Sequence, residues 1–331
     1  MMQSAAPHTL PGAPRSEPAR SVAARIHAYG GADVLQIDAV PVPTPGPGQL
    51  RVEVGAAGVN GLDWKMREGY VRDAYPLTFP SALGLEFAGV VAEAGAGVTG
   101  FRAGDRVMGL TGRPGAYADF VVVDEAQVAR TPAALSDVEA AALPVAVLTA
   151  AQALEAGGGA RAGSTVLVHG AAGAVGGFAV QLAKAAGATV LATASGTSRG
   201  HVVGLGADVE IDYRAERFED RAAGVDLVLD LVGGETLDRS WSVLAPHGVV
   251  VSTAAPDVVA RAPNGRRGVW LMMRADAEQL ARLADDVARG ALRSTIAEVT
   301  PLSGLAAAIE RNRTGHPPGK IVLDLRAAPA D

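Results

Sequence analysis

The sequence predicts an α/β protein in which a domain of short β-strands accompanies a doubly wound parallel sheet. Three observations predict it. The first third is a series of short apolar runs bounded by Gly and Pro. From Gly163 onward, strand-like and helix-like segments alternate. A last strand-like run, 321–325 (IVLDL), has no helix after it. A length of 331 residues suits about two domains and buries roughly three quarters of the unfolded surface.

Taken in order, 23–29, 35–40, 50–54, 88–92 and 117–123 read as strands. Leu50, Val52 and Val54 alternate with Arg51 and Glu53, the two-residue period of a half-buried strand with those two charges outward. Such strands with Gly/Pro turns suggest a small barrel-like domain. Ser136 and Glu139 have capping-box spacing ahead of an Ala/Leu-rich run, so a helix begins there. A strand at 165–169 is followed by Val175, Phe178, Ala179, Leu182, Ala183 and Ala186 at helical spacing, a stop at Gly187, and a strand at 189–193. Similar units run through 226–231, 248–253 and 268–273, the alternation of a parallel sheet with covering helices. Segments 277–288 and 303–311 read as helices. The closing strand then pairs most simply with the first third, which makes the β domain discontinuous. The expected boundaries are a disordered tail at 1–21, the β domain at 22–145 and 276–331, and the parallel-sheet domain at 146–275.

Composition excludes several classes. With 29 Lys and Arg against 35 Asp and Glu, the net charge is −6, without the basic footprint of a nucleic-acid binder. The absence of cysteine excludes disulfides, thiolate nucleophiles and sulfur-ligated metals. No run reaches the about 20 apolar residues that cross a bilayer, and the first 21 residues lack the apolar core of a secretory signal. A cytoplasmic protein without membrane or nucleic-acid partners is expected.

The strand TVLVH leads into Gly170-Ala-Ala-Gly173-Ala-Val-Gly176 and then a helix. Strand, glycine loop, amphipathic helix and second strand fall within about 30 residues, as in dinucleotide-binding folds. Glycines let backbone approach a pyrophosphate, and the helix N-terminus favours its charge; the alternative is a turn needed only for packing. About 20 residues on, an acid would bind a ribose 2′-hydroxyl. Ser195-Gly-Thr197-Ser198-Arg199 stands there instead. Hydroxyls and a guanidinium suit a 2′-phosphate, unless Arg199 merely faces solvent. Gly233-Gly234 follows another strand, where a ligand crevice opens.

Trp64, Tyr70, Tyr75 and Phe79 cluster in a chain that is only 4% aromatic. Trp64, Tyr70 and Tyr75 are candidates to stack on a flat substrate; the alternative is a satellite core. Asn60 and Lys65 are candidate catalytic donors that would polarise a substrate carbonyl. The histidines show no ligand or triad spacing, and His169 reads as structural. No general acid stands out among them.

The stretches GVNGLDWKMREG (58–69), LGLEFAGVVAEAGAGVTGFRAGDRV (83–107), GAYADFVVV (115–123) and LSDVEAAALPVAVLTAAQAL (135–154), with the glycine-loop region 163–195, LGADVEIDY (205–213) and GKIVLDL (319–325), resemble one family. It is the zinc-free quinone oxidoreductase branch of the medium-chain dehydrogenase/reductase superfamily. The resemblance runs from about residue 22 to 325. It implies a GroES-like β-barrel-type domain, a Rossmann domain holding NADPH, and reduction of quinones or activated C=C bonds between them. On this pattern Gly170, Gly173 and Gly176, with Ala174 and Val175, lie against the pyrophosphate. Ser195, Ser198, Arg199 and Tyr213 surround the 2′-phosphate, and Thr149 lies near the nicotinamide. Val232, Gly233, Thr253 and Lys320 line the cofactor. Zinc-dependent relatives carry Gly-His-Glu where this chain has Gly84-Leu85-Glu86, and a ligating Cys absent here, so no metal is expected. Ala174 replaces a common glycine, and Gly61-Leu62 stands where Pro is frequent. Rival readings are an enoyl-type reductase acting on a biosynthetic intermediate, and a non-enzymatic NADPH-binding protein. The apolar run 268–273 reads as an edge strand that pairs two copies into a homodimer, or that is covered by its own chain.

Overall fold

Both ends of the described chain meet in one β-sheet. The computed structural model describes residues 20–315 and 317–327. The β-rich part comprises β1 (Ser21–Ile26), β2 (Leu35–Val40), β3 (Gln49–Val59), α1 (Gly61–Arg67), β4 (Ser81–Ala82), β5 (Glu86–Ala94), β6 (Arg106–Leu110), β7 (Phe120–Asp124) and β8 (Val128–Arg130). Two helices, α2 (Asp137–Ala141) and α3 (Pro144–Ala156), lead out of it. The alternating part follows: β9 (Thr165–His169), α4 (Ala174–Ala185), β10 (Thr189–Ala194), α5 (Arg199–Gly204), β11 (Val209–Asp212), β12 (Val225–Asp230), α6 (Gly234–Ser240), β13 (Leu244–Ser252), α7 (Val258–Arg261) and β14 (Arg267–Trp270). The chain ends with α8 (Ala277–Ala288), β15 (Ile296–Pro301), α9 (Leu305–Thr314) and β16 (Lys320–Asp324).

β16 lies antiparallel to β3, with Ile321 opposite Val59 and Asp324 opposite Ala56, inside a seven-stranded sheet ordered β15-β16-β3-β5-β6-β8, β7 also pairing with β3. A small sheet, β2-β1-β4, packs beside it. The six-stranded sheet β11-β10-β9-β12-β13-β14 is parallel throughout. Its strands are buried on both faces, as the alternation of covering helices requires. Val166 and Val168 join Leu148, Phe178 and Leu280 on one face, while Leu167 joins Ile211, Leu237 and Trp241 on the other. Among the described residues no helix is long and apolar enough to cross a membrane.

Several local expectations shift. Ser21 opens β1 instead of closing the tail, whose residues 1–19 lie outside the described ones. Arg51 is covered, not outward. β3 pairs on both sides, and the guanidinium contacts Glu93 at 3.0 Å and lies over the Phe120 ring. The Ser136–Glu139 capping box forms, but α2 is short, and Pro144 starts α3 as a separate helix because proline suits a first turn and not an interior. β14 ends at Trp270, three residues before the expected 273, where the chain turns to the β-rich part and Met272 Sδ accepts from Tyr75 Oη at 3.5 Å. β15 was not foreseen. Its pairing with β16 comes from the opposite end of a helix, not from a local signal.

Candidate active site

A cleft of about 780 Å³ opens at the carboxyl ends of β9 and β10 and is closed on its other side by Asn60, Trp64, Lys65 and Lys320. Ligands in parallel α/β sheets bind at this end of the strands.

Gly170, Gly173, Ala174, Val175 and Gly176 all line the cleft. A Cβ on Gly176 would collide with the Gly170 carbonyl oxygen and sit 2.7 Å from Ala171 Cα, so the turn into α4 needs glycine there. The first-turn N–H groups of α4 have no intrahelical partner, and the residues that carry them form the cleft wall. A pyrophosphate fits this cradle by hydrogen bonding and by the helix dipole. Gly319 reaches the same loop from the β-rich part: its N–H donates to the Ala172 carbonyl at 2.9 Å, and it bridges Gly173.

At the next strand end, Ser195 and Tyr213 line the cleft. Ser195 Oγ lies 3.0 Å from Thr197 Oγ1 and 3.2 Å from Ser198 Oγ. Ser198 sits buried behind Ser195 and does not reach the cleft wall. Arg199 also stays outside. Its side chain is 75% exposed, with Nε 3.6 Å from Glu210, because that carboxylate is its neighbour across β11. Val232 lines the cleft, whereas Gly233 is buried, its N–H donating to Asp230 Oδ1 at 2.8 Å. Thr253 is likewise held back by its N–H bond to the Asp230 carbonyl, leaving Ala254 on the wall. Thr149 is inside α3, its hydroxyl donating to the Val145 carbonyl at 2.6 Å, and it does not border the cleft.

The opposite wall rests on a buried polar network. Asn60 Nδ2 donates to Glu86 Oε1 at 2.9 Å and to the Gly58 carbonyl at 3.3 Å. Asn60 Oδ1 accepts from Lys320 Nζ at 2.5 Å, and Lys320 also pairs with Glu86. Glu86 Oε2 accepts the Val145 N–H at 2.7 Å, at the start of α3. Below Asn60, Asp63 Oδ2 accepts from Asn60 N–H at 2.7 Å and from Tyr117 Oη at 2.6 Å. Burial pushes the Asp63 carboxyl up to about 6, against the pull of those hydrogen bonds. The donor role expected for Asn60 is therefore corrected: both its amide hydrogens are taken inside the protein.

His169 is fully buried in the cleft floor. Ser240 donates its proton to the Thr236 carbonyl at 2.7 Å, so at 3.0 Å from His169 Nε2 it accepts, and Thr193 donates to Nδ1 at 3.0 Å. Burial lowers the imidazole to about 4 and keeps it neutral. Beside it, Arg239 pairs in fork geometry with Glu219 at 2.7 and 2.6 Å, which holds that carboxyl down at about 2.

Of the aromatic segment, only Trp64 lines the cleft. Arg313 lies 5.0 Å and Lys65 Nζ 5.6 Å from its ring centroids, and both line the cleft beside it. Tyr70 is 69% exposed and meets the outer edge of Trp64. Tyr75 packs on the β-domain core and bonds Met272, and Phe79 packs edge-on against Tyr29. Both tyrosines expected at the substrate thus serve packing or solvent. Glu86, Asp63, Tyr117 and Arg313 were missed as site residues. Glu86 alone had a sequence signal, its place in Gly84-Leu85-Glu86.

Residues 46–133 match the family described as alcohol dehydrogenase GroES-like domain, and residues 205–323 match zinc-binding dehydrogenase. The chain is 34% identical over 313 residues to a chloroplast envelope quinone oxidoreductase homolog of Arabidopsis thaliana, covering 89% of this chain and 95% of that one. It is 36% identical over 310 residues to a 2-methylene-furan-3-one reductase of Solanum lycopersicum, covering 89% and 76%. The solved quinone oxidoreductase of Coxiella burnetii superposes with a TM-score of 0.89 at 35% identity, over 93% of this chain and 100% of that one. With a glycine cradle facing a small-molecule cleft, and relatives spanning nearly its whole length, the chain belongs to the quinone oxidoreductase branch of the medium-chain dehydrogenase/reductase superfamily.

Proposed function

We propose that the protein is an NADPH-dependent, zinc-independent reductase that transfers hydride to a quinone or an α,β-unsaturated carbonyl compound. The observation that carries the cofactor reading is the hydroxyl cluster of Ser195, Thr197 and Ser198 after β10, where an acid would favour NADH. The Asp212 carboxylate beside Gly196 is turned to the Arg214 N–H at 3.0 Å. Tyr213, with the Arg214 guanidinium 5.6 Å from its ring, supplies an exposed face next to the cluster. The substrate reading is supported by the names of the relatives and by Trp64, a flat apolar surface in the wall opposite the glycine loop.

When bound, the reduced nicotinamide supplies the hydride. The glycine loop and the α4 N-terminus anchor the cofactor, while Trp64 and Lys65 shape the acceptor side. Asn60 is a positioning residue. A catalytic zinc does not fit the donor set. The chain has no cysteine, Glu86 is saturated by Lys320, Asn60 and the Val145 N–H, and among the described residues no three His, Cys, Asp or Glu converge. We also place a homodimer contact at β14, the edge of the six-stranded sheet, where Val269 and Trp270 are half-buried.

The test follows NADPH absorbance across quinones, alkenals, enones and enoyl thioesters, with NADH and a chelator as controls. Turnover with NADPH, unaffected by chelation, is expected. Equal or better turnover with NADH, loss of activity in chelator, or oxidation of no acceptor would each overturn part of the reading.

A further inference from the structure

Lys320 is 4% exposed, yet it stands in the cleft wall. An ammonium has three protons to donate. One goes to Asn60 Oδ1, the Glu86 carboxylate pairs with the same head, and among the described residues no third group takes a proton from it. Every neighbour that could hold this head in place is itself held. Glu86 is fixed by the Val145 N–H, and Asn60 by Gly58 and, through its N–H, by Asp63. The Lys320 head is thus rigid, charged, nearly dehydrated and one donor short of satisfied.

The buried donors beside Lys320 are spent, whereas Lys65 and Arg313 lie over the Trp64 ring. Both Asn60 amide hydrogens are engaged, Tyr117 gives its proton to Asp63, and the one N–H and one free ring nitrogen of neutral His169 are taken by Ser240 and Thr193. Pyrophosphate charge is met by the α4 N-terminus, whereas Lys320 is tied back to Asn60, just after β3, and to Glu86 of β5, on the Trp64 side of the cleft.

We infer that Lys320 is the catalytic residue that hydrogen-bonds the carbonyl oxygen of the acceptor through its third N–H, with Glu86 and Asn60 as positioning residues. The inference rests on the reductase reading above and names the group that reading leaves open. The hydride brings two electrons and forms one C–H bond at the conjugated carbon. The C=C pair shifts toward the carbonyl, whose oxygen becomes anionic. The Lys320 N–H bond to that oxygen strengthens as the charge grows, without itself breaking. The remaining proton comes from water and completes the reduced product. A preorganised donor in a dehydrated site acts on charge that develops only in the transition state.

The experiment compares the full-length wild type with Lys320→Met and Lys320→Gln, measuring the NADPH Kd by fluorescence, steady-state kinetics with an enone and a quinone, and melting. The expected result is a loss of about 10²–10³ in kcat, the scale of one lost oxyanion donor, with the NADPH Kd within about threefold. The second substitution keeps a polar but uncharged head one bond shorter, out of reach of the acceptor oxygen, and covers the case in which the first does not fold. Unchanged kcat in a folded variant overturns the assignment. So does a loss of turnover matched by an equal loss of NADPH affinity, which would make Lys320 a cofactor ligand. Wild type that binds NADPH but reduces no acceptor fails the reductase reading itself, a distinct outcome that removes the Lys320 assignment with it.

Discussion

Gly319 and Gly173 face each other as a single parallel bridge, and the Gly319 N–H on the Ala172 carbonyl ties the last strand of the β-rich part to the glycine loop. Gly319 has φ +105°, and a Cβ there would collide with the Thr295 carbonyl oxygen and lie 2.8 Å from Thr295 Cγ2. Gly319→Ala is therefore expected to cost about 1–3 kcal/mol, the scale of a strained backbone, and to weaken NADPH binding by disturbing the loop. Urea unfolding and a cofactor titration check it; wild-type values in both would refute the link.

Cofactor choice is expected to rest on Ser195 and Arg199. The Arg199 side chain is 75% exposed and meets the covered Glu210 carboxylate only at 3.6 Å, longer than a hydrogen bond, so it can turn to a 2′-phosphate, where a charge-assisted bond is worth about 1.5–3 kcal/mol. Arg199→Ala should weaken NADPH binding about tenfold or more while leaving NADH unchanged. Ser195→Asp should reverse the preference. Tighter NADH binding in the wild type would contradict both.

Trp64 and Tyr75 separate acceptor binding from packing. Trp64→Ala is expected to raise KM or lower kcat for flat acceptors with the NADPH Kd unchanged, since the ring lines the cleft. Tyr75→Ala should cost about 1–3 kcal/mol of stability, in proportion to partly lost apolar burial, with normal KM. Tyr70, exposed, should change stability by under about 0.5 kcal/mol. Melting curves beside kinetics decide; a reversed pattern for Trp64 and Tyr75 would reassign the segment.

Asp63 makes stability depend on pH. Its carboxyl is raised to about 6 in the fold by burial, so between about 4 and 6 the folded state binds more protons than the unfolded one. This contribution is full below pH 4 and is lost as pH rises through 6, by about 3 kcal/mol. His169, lowered to about 4, acts the other way and loses stability as pH falls from 6.5. Comparing wild type with Asp63→Asn cancels the histidine. The difference should shift in favour of the variant as pH rises from 4 to 7. A flat difference would show that Asp63 is ionised throughout.

The β14 edge is expected to pair two copies. Light scattering at micromolar concentration should give the dimer mass, and Val269→Lys, which places a charge on the edge, should give monomer. A wild-type monomer would remove the contact.

The glycine loop was legible because its chemistry is local. Strand, turn and helix lie within about 30 residues, and Gly170, Gly173 and Gly176 announce close backbone approach wherever the rest of the chain goes. The parallel sheet was legible for the same reason, since periodicity and Gly stops repeat along the chain. The closing strand pointed to the first third only because no helix followed it. The contact of Arg199 with Glu210 was not legible, because β11 brings that carboxylate alongside from outside the residue's sequence neighbourhood. Tyr70 and Tyr75 were misplaced because composition registers a cluster but not which way each ring turns.

Local pattern thus carried the fold class and the glycine loop. The polar wall opposite it came from pairing across the chain. Lys320 meets Asn60 because Ile321 is opposite Val59 in the β16–β3 register, and Glu86 joins them from β5 on the far side of β3. Residues 60, 86, 117 and 320 share no spacing that a linear reading can detect. Their meeting depends on sheet registry and on burial, which alone compels each polar group to find a partner.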